Sequence, residues 1–185
     1  MTIAIIVVVA IIVIAVLYYI AKRNSIIASR NRVDESWSGI DVQLKRRHDL
    51  VPNLVETVKG YAAHEKGTFE NIAKFRSQAM QATGPAERAQ AENQLTMAIK
   101  SLFAVAENYP QLRASEQFTS LQTSLNELED SIQNSRRYYN AVVRDLNTKI
   151  ASFPSNVVAG MFGFSPRQFF ELTSAAEREP VAVKF

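Results

Sequence analysis

Apolar residues recur every three or four positions along most of this chain, after an opening run in which they are nearly continuous. That run, Ile3–Ala21, contains no charged side chain. At ~1.5 Å rise per residue it covers about 28 Å, close to the ~30 Å hydrocarbon core of a bilayer. It lacks the basic leader and small-x-small site of a secretory signal and closes on Tyr18, Tyr19 and Ile20. The pattern predicts an uncleaved membrane anchor over 1–23, with the span at 3–21.

Two heptad seams follow. Phe118, Leu121, Leu125, Leu128, Ile132, Ser135, Tyr139, Val142, Leu146, Lys149 and Phe153 alternate by three and four, asking for one helix of about 35 residues. Val33, Trp37, Ile40, Leu44, Arg47, Val51, Leu54, Val58 and Tyr61 keep the same rhythm and pass through Pro52 in phase. An in-phase seam across a proline predicts a tolerated kink rather than two helices. Gly67 suits a left-handed helix end, with Thr68 as the next cap. Phe69, Ile72, Phe75 and Ala79 mark a short helix before Gly84-Pro85. Ala91, Leu95, Ala98, Leu102, Val105 and Tyr109 mark a third, and Ser115 can cap the long fourth.

No strand alternation persists, so the expected fold is all-α: an N-terminal transmembrane helix followed by an antiparallel four-helix bundle or long coiled-coil hairpin. The bundle should occupy 24–152, with helices near 24–66, 68–82, 86–108 and 113–151. The first and last of these are longer than the middle two. The membrane-proximal half would then be a two-helix hairpin with apolar seam to spare, which predicts lateral homo-oligomerisation. Trp37, Leu44, Arg47, Val51, Leu125, Ile132 and Tyr139 are the packing and oligomerisation candidates.

The same topology returns the chain to the bilayer at 153–172, where Phe153, Phe162, Phe164, Phe169 and Phe170 make an aromatic-rich, membrane-proximal segment. Ser155 or Asn156 would cap one short helix there and Ser165-Pro166 would begin another. The segment reads either as an apolar clasp closing the bundle or as an interfacial element touching lipid. Residues 173–185 read as a mobile tail.

Charge settles orientation. The formal +3 arises from 21 cations against 18 acids, and Lys22, Arg23, Arg30 and Arg32 just past the span more than supply it. Cations stay on the cytoplasmic side, so the amino terminus should lie outside and the bulk of the chain in the cytoplasm. The reverse orientation is the alternative. The bilayer is the first expected partner, and nothing in the balance calls for nucleic acid.

Candidate chemistry is thin. His48 and His64 stand ~24 Å apart on a straight helix, too far for shared coordination, and position 68 is Thr rather than a second zinc-motif histidine. Both read as surface or capping histidines. Cysteine is absent, and no glycine-flanked serine or phosphate-cradling glycine loop occurs. Neither catalytic residues nor a metal or cofactor site is expected, and the chain is not expected to be an enzyme. Arg47 intrudes into a core slot, where a cation pairs with a carboxylate and sets register. Asp41, Asp49 or an acid on the fourth helix would serve.

The anchor, NRVDESWSGIDVQLKRRHDLVPNLVETVKGYAAHE, RRYYNAVVRDLN and FPSNVVAGMFGF with Phe169-Phe170-Glu171 together resemble the LemA family of small bacterial membrane proteins. The resemblance implies a helical, single-pass protein with its amino terminus outside, and supplies no established catalytic residues. Where that family tends to repeat the Tyr-Asn pair of Tyr139-Asn140, this chain has Leu146-Asn147. The expected function is a non-enzymatic, membrane-anchored scaffold that self-associates laterally and organises the membrane surface. An adaptor that binds another membrane protein is the alternative. An enzyme with a site between subunits ranks third.

Overall fold

A computed structural model describes residues 1–171 of the chain. The described residues are all-helical, with no strand. The elements are α1 (Thr2–Lys59), α2 (Lys66–Gln81), α3 (Pro85–Ala106), α4 (Pro110–Arg113), α5 (Glu116–Ala151) and α6 (Ser155–Met161). Two compact units divide the chain: Met1–Ile40 with Ser135–Gln168, and Asp41–Asn134 with Phe169–Phe185. Residues 172–185, and with them the expected tail, lie outside the described residues.

Several boundaries differ from those the pattern suggested. The anchor and the first seam share one helix, α1, with no break near residue 24. That helix stops at Lys59, where Gly60 and Tyr61 enter a turn and the amides of Tyr61 and Ala62 fall back on Val58 O. Tyr61 therefore leaves the seam and is exposed. Gly67 lies inside α2 with ordinary helical φ, so Glu65 rather than Thr68 takes the cap position. Helical backbone suits any residue, and the chain places its positive φ values at Gly84 and Gly163 instead.

Pro52 sits inside α1. Its missing N–H strands the carbonyl four residues earlier, that of His48. Arg76 Nε, from α2, donates to that carbonyl at 2.8 Å. The proline is tolerated because a neighbouring helix supplies the donor that it lacks.

At the start of α3, Glu87 reaches back to accept from the Thr83 amide at 3.0 Å and its hydroxyl at 3.1 Å, while Gly84 takes φ +83° and Pro85 opens the helix. Ser115 Oγ accepts from the Phe118 amide at 3.5 Å and caps α5.

In the second unit Val51, Leu54 and Val58 of α1 join Phe69, Ile72 and Ala79 of α2 in one apolar core. Leu95, Ile99 and Leu102 of α3 and Phe118 and Leu125 of α5 complete it. In the first unit Ile26, Val33 and Ile40 of α1 and Tyr139, Val142, Val143 and Leu146 of α5 are buried, with Val158 and Ala159 of α6. There α1 and α5 run antiparallel: Trp37 stacks on Tyr139 at 5.4 Å, and Lys149 Nζ meets Ser25 Oγ at 3.1 Å. The contacts are spaced about ten residues apart on both helices, or ~15 Å.

The apolar part of α1 is long enough to cross a membrane, and none of it is buried within the protein. A core helix of a soluble protein would be covered.

Candidate functional site

The second unit holds a buried ionic cluster at the slot where Arg47 interrupts the apolar seam. Its neighbours in the seam, Leu44 and Val51, are buried on either side, so the guanidinium points into the protein. Arg47 Nη2 pairs with Glu92 Oε2 of α3. Its Nη1 donates to Glu129 Oε2 of α5 at 2.8 Å and to Thr96 Oγ1 of α3 at 2.9 Å. His48 Nε2 meets the other oxygen of Glu92 at 2.8 Å. Arg47, His48 and Glu92 are each below 5% exposed, whereas the Glu129 side chain keeps 31%.

Burial alone would push the Glu92 carboxyl up. The hydrogen bond to His48 and the Arg47 guanidinium outweigh it and hold Glu92 below its ordinary value of 4.5. Arg47 Nε remains buried without an acceptor among the described residues. A buried ionic cluster of this kind fixes which helix faces meet; its net contribution to stability is small beside the cost of breaking it.

His48 is therefore not the surface or capping histidine that the spacing suggested. It lies one turn beyond Leu44 on the inward side of α1, and Glu92 supplies the partner that lets it stay there. His64 is exposed. Among the described residues no three His, Asp or Glu side chains gather as a metal site. The cavity beside Arg47, lined by Thr96, Phe103, Leu125 and Glu129 among others, measures about 100 Å³. Ligand clefts run to several hundred cubic ångströms. His48 and Glu92 do not line it.

The acids suggested for Arg47 divide. Glu129, on the long helix, is a partner; Asp49 is exposed, and Asp41 pairs with Arg88 at 2.7 Å instead. Lys45 and Arg46 point outward, and Arg46 shares its groove with Asp49 and Glu127, which makes that surface mixed in sign.

The first unit carries a second polar arrangement, around the segment that follows α6. Asn147 accepts from the Arg167 amide at 2.8 Å and donates to the Arg167 carbonyl at 2.9 Å, pairing with the backbone as a strand would. Tyr139 Oη donates to Gln168 O at 2.9 Å, and Arg167 meets Asp34 at 3.1 Å. Burial raises the Tyr139 hydroxyl above its ordinary value of 10.0; Arg167 opposes this and Asp34 adds to it. Two side chains of α5 thereby hold Arg167 and Gln168 by their backbone, and no helix begins at Ser165-Pro166.

The remaining candidates fall as follows. Leu44, Val51, Leu125, Ile132 and Tyr139 are buried, and Trp37 is partly buried against Tyr139. Phe153 lies past the end of α5 and is 82% exposed, so the buried seam stops short of it. Phe162 is exposed and Phe164 is half-buried. Phe169 is half-buried and Phe170 is fully buried. Neither Ser155 nor Asn156 caps α6: Pro154 stands at the cap position with no side-chain bond.

Comparison with known proteins follows the same regions. The model described as the LemA family matches residues 36–185. Protein LemA of Metamycoplasma hominis is 28% identical over 76% of this chain and 65% of its own length. Magnetosome protein MamQ 2 of Paramagnetospirillum magneticum is 26% identical over 96% of this chain and 73% of its own. Magnetosome protein MamQ of Magnetospirillum gryphiswaldense is 24% identical over 76% and 61%. The chain thus spans about two thirds of the length of these relatives. None of these relatives bears the name of an enzyme.

Proposed function

This chain belongs to the LemA family, and from that premise we propose that it is a non-enzymatic scaffold of the membrane surface, anchored by 3–21 and self-associating side by side. The observation that carries the reading is α1 within the first unit. There the uncovered apolar span continues into the buried positions Ile26, Val33 and Ile40 with no linker between them. A tether needs a flexible joint, whereas a scaffold gains from a stiff one, because a helix passes orientation from bilayer to body. In the second unit, links among Arg47, Arg76, Glu92 and Glu129 tie α1, α2, α3 and α5, which supports an antiparallel four-helix bundle as the body.

The seam residues are consumed inside the chain, so lateral contacts use another surface. The groove of about 500 Å³ lined by Leu50 and Leu128 suits a second copy. Arg46 flanks it together with Asp49 and Glu127, and mixed charge of this kind is self-complementary across a two-fold axis. Cations immediately past the span support an amino terminus outside the inner membrane and a cytoplasmic body.

Because the chain has no cysteine, Glu127→Cys gives a single exposed thiol for bifunctional cross-linking in intact membranes. Doubled and higher adducts of the chain with itself are expected. Recovery of the uncross-linked chain alone contradicts self-association, and adducts of one copy with a different membrane protein favour the adaptor.

A further inference from the structure

The residues between Lys149 and Arg167 include no charged side chain. Within that stretch α6 has two faces. Val158 and Ala159 are buried, while Val157 and Met161 are 43% and 69% exposed, flanked by Phe153 at 82% and Phe162 at 50%. An uncharged seven-residue helix with an apolar outer face is costly to leave in water.

Two contacts fix where that face lies. The Phe162 ring sits under the Arg23 guanidinium at 5.0 Å, and Arg23 is ~3 Å along the helix from the last residue of the span. Lys149, near the end of α5 and six residues before α6 begins, meets Ser25 and Ser29 of α1. The antiparallel α5 then descends to Ala151, so Phe153 comes to about the level of Arg23 as well. Phe153 before α6 and Phe162 after it thus flank that helix near the level of Arg23, just past the span, at the depth where hydrocarbon gives way to headgroups.

We propose that α6 is a second membrane contact: Phe153, Val157, Met161 and Phe162 enter the interface of the leaflet that α1 leaves, with Lys22, Arg23 and Arg30 among its anionic headgroups. The occupant of this face is lipid because it is continuous with the span itself and its surrounding charges are cations of the membrane flank. The inference rests on the anchor part of the proposed function and is independent of self-association. Two attachments fix the rotation of α1 about its axis, which one helix alone leaves free.

The test uses the full chain in lipid nanodiscs, with Val157→Cys or Met161→Cys carrying a polarity-sensitive fluorophore. Ser38→Cys, ~25 Å further along α1, is the control. All three sites are exposed, and helicity by circular dichroism checks each variant. Labels at 157 and 161 are expected to be quenched at least threefold more than at 38 by shallow acyl-chain nitroxide lipids, and less by aqueous iodide. Iodide quenching equal to that at 38 overturns the proposal. Protection from both quenchers also overturns it, since protein then covers the face. A chain that does not enter nanodiscs refutes the anchor first, an outcome distinct from either.

Discussion

Replacing Arg47 with methionine removes the guanidinium while keeping most of its bulk. Glu92 then stays buried, at 4% side-chain exposure, with His48 still hydrogen-bonded to it. Breaking a buried pair by removing one partner costs about 3–5 kcal/mol, and the surviving His48 contact places this case near the lower end. Glu129 adds little, because at 31% exposure water can take over its solvation. For a chain of 185 residues, ~3 kcal/mol corresponds to a fall of roughly 6–12 °C in Tm.

The pH dependence gives the sharper signature. In the native protein Glu92 is held below 4.5, so its contribution is complete above that value and fades as pH falls through the depressed one. Without Arg47, burial dominates and Glu92 takes up its proton at higher pH. The gap between the two proteins should therefore be widest near neutrality and narrow in acid. Adding Glu92→Gln to Arg47→Met should recover much of the loss, since the amide keeps a hydrogen bond to His48 and carries no charge. Thermal unfolding of the full chain in mild detergent, followed by circular dichroism at pH 7.5 and 4.5, measures all of this. A Tm within 2 °C of the native protein at pH 7.5, or a deficit that ignores pH, refutes the reasoning.

Other outcomes follow from the same geometry. Arg76→Ala should cost about 1.5–3 kcal/mol by leaving the His48 carbonyl without a donor, and much less when Pro52→Ala restores the helix's own amide; a double-mutant cycle by thermal unfolding reads the coupling. Asn147→Ala removes both bonds to the Arg167 backbone and should open 164–168 to limited proteolysis, with Tyr139→Phe giving a smaller effect of ~1 kcal/mol. Leu125→Asp buries a carboxylate without a partner and should abolish folding, seen as loss of the cooperative transition. Gly84→Ala, at φ +83° with open space around the added methyl, should lower stability by about 1 kcal/mol through backbone strain alone.

Much of this molecule is written in period. The α5 seam can be read from Phe118 to Leu146 because every slot but Ser135 is apolar and no breaker intervenes. The span is legible for the same reason. Arg47 is conspicuous as a charge in a core slot, and one of its partners lies on the long helix as the spacing suggested. Glu92 is masked in the sequence by the heptad row of Ala91, Leu95 and Ala98 beside it. Yet Glu92, Leu95, Ile99, Leu102 and Ala106 form an equally regular row, and all are buried. A charge in phase with four apolar residues, on a helix facing Arg47, was the available signal. The burial of His48 is not legible locally, because its partner Glu92 lies on another helix.

Local signals misled where glycine and proline have several uses. Gly67 fits a helix end but equally a helix interior, and the turn forms earlier, at Gly60. Ser165-Pro166 fits a helix start, but Asn147 captures both the amide and the carbonyl of Arg167 and no helix forms. That competing interaction is twenty residues away in sequence and invisible to any local pattern. The aromatic segment is not uniform either: Phe153 and Phe162 are exposed, while Phe170 is fully buried.

Native mass spectrometry of the full chain, released from membranes in a mild detergent, tests the central claim most directly. The scaffold account predicts discrete species at multiples of the 20.7 kDa chain that persist on dilution. A single species at 20.7 kDa across the concentration range would contradict it.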